Sequence, residues 1–251
     1  MAAVLLALAS SLMWGIADFS GGLLARRLPL AAVTVYSQAA GFAILLVVLA
    51  AHHEIDGRSL WLGAIGGIGG GAGLACFYAA LARGTMSIVS PITACSAVVP
   101  VALSLASGER PSSLVLGGVA VSFTGAVLAS FEERHAGETG RREAIPLAVG
   151  AALAIGCFVY FLGRAASDGS VLSALVGARI GSLSTLLVWA LATHASLALG
   201  RRAATLVCLV GLADVTANLL FAHIVLHERI TSVQRVGVAV TLVGVAIVSA
   251  A

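Results

Sequence analysis

The chain has 251 residues, of which 60% are hydrophobic and only 10% charged, and its mean hydropathy is +1.07. A water-soluble domain carries about 25% charged residues, so this composition excludes a soluble globular protein, and its apolar weight excludes a disordered one. The net charge of +3 gives no footprint for nucleic acid, and what remains is an all-α polytopic membrane protein with room for about nine or ten spans of about 20 residues each.

Taken in chain order, the first apolar run covers residues 2–24 and is closed by Arg26 and Arg27. It lacks the positively charged start of a signal peptide and is read as a span. The second covers 30–51. The polar residues after it, His52, His53, Glu54 and Asp56, are read as a solvated loop, because their spacing fits no metal-ligand pattern. The third, 60–82, carries Gly63, Gly67 and Gly71 at a spacing of four, a stripe that lets helices approach closely. The fourth, 87–106, contains Pro91 and Pro100, which remove backbone donors and predict a kink. The fifth is 114–131, and a charged segment, 132–144, follows it. The remaining runs are 145–162, 171–191, 204–226 and 233–251. All nine are expected to be helices, since a span must satisfy its own backbone in lipid. None alternates polar and apolar residues as a β-barrel strand does.

Two chemical inventories narrow the possibilities further. Cys76, Cys95, Cys157 and Cys208 stand alone within apolar runs and form no CxxC pair, so buried free thiols are expected rather than a disulfide framework or a zinc site. No cofactor and no metal is expected. The basic residues are all arginine, a bias that suggests GC-rich coding and a bacterial source.

The chain also repeats itself. The hairpin Gly108-Glu109-Arg110 parallels His227-Glu228-Arg229, and in the same register Gly118 meets Gly237 and Gly125 meets Gly244. Nearer the start of each half the register differs: Gly15 falls on Gly156, Gln38 on Arg179, and Phe77-Tyr78-Ala79 on Leu220-Phe221-Ala222. The two registers differ by about 24 residues, or about one span. The expected organisation is therefore a first repeat of five helices (1–131), a charged linker (132–144) and a second repeat of four (145–251). The counterpart of the fourth span is missing from the second repeat, with its junction near Ala222 and His223.

Two such halves, with Trp14-Gly15 in the first span, Ala82-Arg83-Gly84 before the fourth, Ser90-Pro91 and Pro100 within it, and the Glu109-Arg110 and Glu228-Arg229 hairpins, resemble the EamA-type drug/metabolite transporters. That resemblance implies an inverted repeat of ten helices around a central cavity. It implies a multi-pass location in the bacterial inner membrane, a small-molecule substrate and a cytoplasmic N-terminus. The balance of arginines between alternate loops favours the opposite orientation, so orientation stays open.

Ionisable side chains within spans are costly and default to function. Asp18, Arg179 and Asp214 are such groups, and Asn218 lies one helical turn beyond Asp214. They are expected to face a shared water-filled cavity together with Gln38, Trp14 and Tyr78, with one aspartate holding a proton or a cationic group. The bland alternative is an Asp–Arg pair that only fixes helix packing. The resulting expectation is a secondary transporter or exporter of a small metabolite or drug that works by alternating access, with the lipid bilayer as its setting. A coupling proton and a homo-oligomer are compatible with it, and it is not an enzyme. The alternatives are a transport-incompetent truncated paralogue and an intramembrane lipid-modifying enzyme.

Overall fold

A computed structural model of the chain describes residues 2–52, 55–110, 141–167 and 169–227, together with 117, 120, 121 and 124. Among these residues the regular structure is helical and no strand occurs. Helices α1 (Ala2–Ala25), α2 (Leu30–His52) and α3 (Gly57–Arg83) are followed by a broken span, made of α4 (Met86–Ala94), a 3-10 turn (Cys95–Ala97) and α5 (Val98–Ala106). Helices α6 (Arg141–Ser167), α7 (Val171–Ala192) and α8 (Arg201–His227) complete the described order. Among the described residues five segments are long and apolar enough to cross a bilayer: Leu30–Ala51, Gly57–Arg83, Ile88–Ala106, Glu143–Ser167 and Val171–Ala192. The 24 residues of α1 and the 27 of α8 also exceed the length a span needs. Of the expected fifth span only 117, 120, 121 and 124 are described, and all are helical; the expected ninth span, 233–251, lies outside the described residues. Helix α6 opens at Arg141, inside the segment read as linker, and Glu143 in its first turn complements the helix dipole. Helix α8 runs unbroken through Ala222 and His223.

The packing exchanges partners between the two parts of the chain. Helix α3 packs chiefly on α7 and α6, α8 packs chiefly on α1 and α2, and α2 meets α7 directly. Small residues set these distances. A Cβ at Gly63, Gly67 or Gly71 would run into the backbone of Ala174, Ala178 or Ser182 respectively. In return, one at Gly177 or Gly181 would strike the carbonyl of Leu60 or Ala64. Gly211 of α8 is pressed in the same way onto the Ser37 carbonyl of α2. Without a hydrophobic drive between helices in lipid, such backbone contact is what holds them together.

The fourth span breaks ahead of Pro100, whereas α4 continues through Pro91, the other proline expected to kink it. Pro100 stands in the first turn of α5, where its missing N–H costs least. Its ring excludes a regular helix around the carbonyl four residues earlier, and that residue, Ser96, lies in the 3-10 turn.

Asp56 lies in the loop before α3, as expected, but it also has a structural task. It is the N-cap of α3, where its carboxylate accepts from the backbone N–H of Arg58 (3.3 Å) and Ser59 (3.1 Å) and from the Ser59 hydroxyl. Its own N–H donates to Ser173 Oγ at 3.0 Å, which ties the cap to α7. At the other end of α3, Arg26 donates to the carbonyls of Leu81 (2.9 Å) and Gly84 (3.1 Å), a side-chain cap for orphan helix carbonyls.

Two apolar clusters lie toward opposite ends of the bundle. One gathers Val33, Tyr78, Leu81, Val89, Ala148 and Val207, and the other Leu45, Val171, Leu175, Val176 and Val215. Helix α2 reaches both, with Val33 in the first and Leu45 in the second, and Gln38 lies between them.

Two outcomes follow. Gly177→Ala is expected to lower stability in detergent by about 1–3 kcal/mol, since overpacking must push α3 and α7 apart. Gly15→Ala, with open space around its Cβ, is expected to match or exceed the parent, and thermal melts distinguish the two. The Ser59 hydrogen bonds hold the Asp56 carboxyl below its ordinary value of 3.8. A depressed folded-state pKa adds stability above that value, and the addition is lost as pH falls through the folded one. The melting-temperature gap between the parent and Asp56→Asn should therefore be steady at neutral pH and close as the pH drops below 3.8.

Candidate functional site

Between the two apolar clusters lies a cavity of about 320 Å³. Its polar groups come from five elements: Asp18 from α1, Gln38 from α2, Ser96 from the 3-10 turn, Arg179 and Ser182 from α7, and Asp214 from α8. Aromatic rings of Trp14, Phe77 and Phe158 form part of the apolar wall, with Leu74, Ile155 and Leu175.

Helical spacing explains which residues reach it. On α7, Leu175, Ala178, Arg179 and Ser182 recur at three or four residues and share a face. On α3, Gly70, Leu74 and Phe77 do the same. Tyr78 is one position on and therefore turned away by about 100°. It is 2% exposed, in the apolar cluster, with its ring and hydroxyl against Gly21 of α1; it stands behind the residues that border the cavity, and its hydroxyl is near enough to feel the charges of Asp18, Asp214 and Arg179. Gly21 leaves the room that this ring fills.

Arg179 organises the polar side. Its Nη2 donates to Asp214 Oδ2 at 2.5 Å, and its Nη1 donates to Gln38 Oε1. The Ser182 hydroxyl donates to the same Gln38 oxygen at 3.3 Å. The Arg179 side chain is 8% exposed and that of Asp214 26% exposed. This is a largely desolvated pair, in which the guanidinium fork has an acceptor on each arm. Gln38 and Arg179, matched to one another by the internal repeat, thus meet directly across α2 and α7.

Of the seven side chains singled out in the sequence, Trp14, Asp18, Gln38, Arg179 and Asp214 line one cavity. Asn218 lies on α8 one turn beyond Asp214, with its side chain outside the described residues. Ser96, Ser182, Phe77 and Phe158 were not singled out. The proline kink was a signal for Ser96, and the three-residue step from Arg179 was one for Ser182; for the two phenylalanines, apolar residues in apolar spans, no signal existed. Among the described residues no group of three His, Cys, Asp or Glu side chains could hold a metal ion.

The cost of disturbing the pair is testable. Asp214→Ala leaves a buried guanidinium without its counter-charge and should destabilise the protein by about 3–5 kcal/mol. Combining Arg179→Gln with Asp214→Ala should recover much of that loss. Unfolding of the two single variants and the double variant in detergent checks this, and a loss that simply adds would argue against direct coupling.

Comparison with known proteins agrees with this architecture. A solved crystal structure, titled only as that of a protein, superposes with a TM-score of 0.61 over 99% of this chain and 96% of that one, at 16% sequence identity. Comparison with the curated proteins gives no match. The sequence profile of the EamA-like transporter family matches residues 1–131, just over half of the chain. With several apolar helices able to cross a bilayer and a polar cavity among them, the chain is a multi-pass membrane protein that belongs to the EamA-like transporter family.

Proposed function

We propose that the chain is a secondary transporter that carries a small metabolite or drug across the bacterial inner membrane by alternating access, with the cavity as the solute's binding site. The observation that carries this reading is the placement of Asp18, Gln38, Arg179 and Asp214 on one cavity inside an otherwise apolar bundle. Ionisable groups at such depth mark a solute or ion path. The cavity volume, about 320 Å³, sits at the small end of the range of about 300–1,000 Å³ for small-molecule sites.

The reading also treats the chain as two related halves. Its support is the exchange of packing partners, α3 on α6 and α7 against α8 on α1 and α2, with α2 and α7 meeting between them. Transporters built from repeats place their sites at such an interface and rock one bundle against the other. The apolar clusters toward each end of the bundle would serve as the barriers that separate in turn.

The test is solute counterflow in proteoliposomes made from the purified protein, screened with small amines, amino acids and organic acids. Saturable exchange of at least one class is expected. Asp214→Asn and Arg179→Gln should each reduce it by about tenfold or more, equivalent to about 1.4 kcal/mol. Exchange that neither substitution changes, with both proteins correctly folded, would remove this cavity from the path.

A further inference from the structure

We infer that the solute of this cavity is a small organic cation, an ammonium on an apolar or aromatic body, rather than an anion. The inference rests on the reading of the cavity as a solute site and adds the charge class that the site selects.

Three charged side chains reach the cavity among the described residues: Asp18 from α1, Arg179 from α7 and Asp214 from α8. Helices α2, α3 and α6 and the 3-10 turn contribute none there. With all three ionised, the count leaves one negative charge in excess. Arg179 is the group that would attract an anion, but both arms of its fork are engaged, one by the Asp214 carboxylate and one by the Gln38 oxygen. An incoming carboxylate would have to displace a carboxylate already in place, at no gain in charge. Asp18 differs. It lines the same space, yet among the described residues no cation and no hydrogen-bond donor pairs with its carboxylate. A carboxylate that is to stay ionised in an apolar bundle calls for a positive partner.

The rest of the wall suits an ammonium. Trp14, Phe77 and Phe158 bring three aromatic rings to the cavity, and the faces of such rings attract cations, most of all weakly hydrated ammonium groups. Leu74, Ile155 and Leu175 provide an apolar surface for the body of the molecule. A bare inorganic cation is served poorly, because it takes a shell of oxygens. The neutral oxygens here are those of Ser96, Ser182 and Gln38, and the Gln38 oxygen already accepts from Arg179 and Ser182.

The experiment is equilibrium binding to the full chain in lipid nanodiscs with three probes of one shape: phenethylammonium, phenylethanol and phenylacetate. The ammonium is expected to bind about tenfold or more tightly than the alcohol and the acid. Asp18→Asn should abolish that preference, bringing ammonium binding down to the level of the alcohol in the same variant. Asp18→Glu, which keeps the charge, should retain part of the preference and serves as the second variant if the amide variant does not fold. Exchanging Na⁺ for K⁺ should leave the affinity unchanged. Tighter or equal binding of phenylacetate or phenylethanol overturns the inference but leaves a solute cavity in place. Affinity that follows the inorganic cation, or binding of none of the three probes, also overturns the inference. Ammonium binding that survives both Asp18→Asn and the cavity-filling Leu74→Trp overturns the cavity reading itself.

Discussion

A guanidinium inside an apolar bundle cannot stand alone, and the centre of this protein is arranged around that constraint. Arg179 is reached by an acceptor from α2 and an acceptor from α8, so one side chain on α7 ties together three helices from distant parts of the sequence. In lipid the helices gain nothing from mutual hydrophobicity. What holds them at fixed separations is backbone contact across glycine and this polar bridge. The two devices are neighbours. Gly67 lies on Ala178, the residue just before Arg179, and Gly211 lies on Ser37, the residue just before Gln38. Close approach at these crossings brings the polar groups within bonding distance. The polar groups in turn make the register of each crossing specific.

On the proposed transport reading, the bridge would do more than fix helix packing. It stands on the wall of a cavity rather than in sealed packing, and it spans α2, α7 and α8, which also pack on one another. In the proposed alternating-access cycle, rocking of these helices against one another would strain or rearrange it. A solute that changed the local charge would shift the balance between two arrangements only by the difference in its interaction with each. In the proposed cycle Asp18, on α1 and outside the bridge, would be the group through which such a difference enters without first breaking the pair.

Much of this was legible in the sequence, and the part that was not has identifiable causes. Helix limits were read well because apolar runs end where charge begins: α2 was placed at 30–51 and spans Leu30–His52, and α7 was placed at 171–191 and spans Val171–Ala192. The meeting of Gln38 with Arg179 was foreshadowed by their equivalent positions in the internal repeat. Phe77 and Tyr78 are a single step apart on α3, and only the neighbouring helices decide which ring borders the cavity and which packs on Gly21. Asp56 was read with the loop, because a cap looks like any polar residue until its backbone partners are known. Phe158 resembles every other apolar residue in its span. A cavity wall built from common hydrophobes leaves no mark in composition.

The most direct test of the central claim, a water-accessible cavity between the parts of the bundle, is thiol labelling of reconstituted protein in which the four native cysteines have been replaced. A cysteine introduced for Ser96, on the cavity wall, should react with a charged, membrane-impermeant reagent from at least one face of the bilayer. One introduced for Val47, 71% exposed on the outer surface of the bundle, should stay inert in the acyl chains. Failure of the Ser96→Cys protein to react from either face would contradict the account.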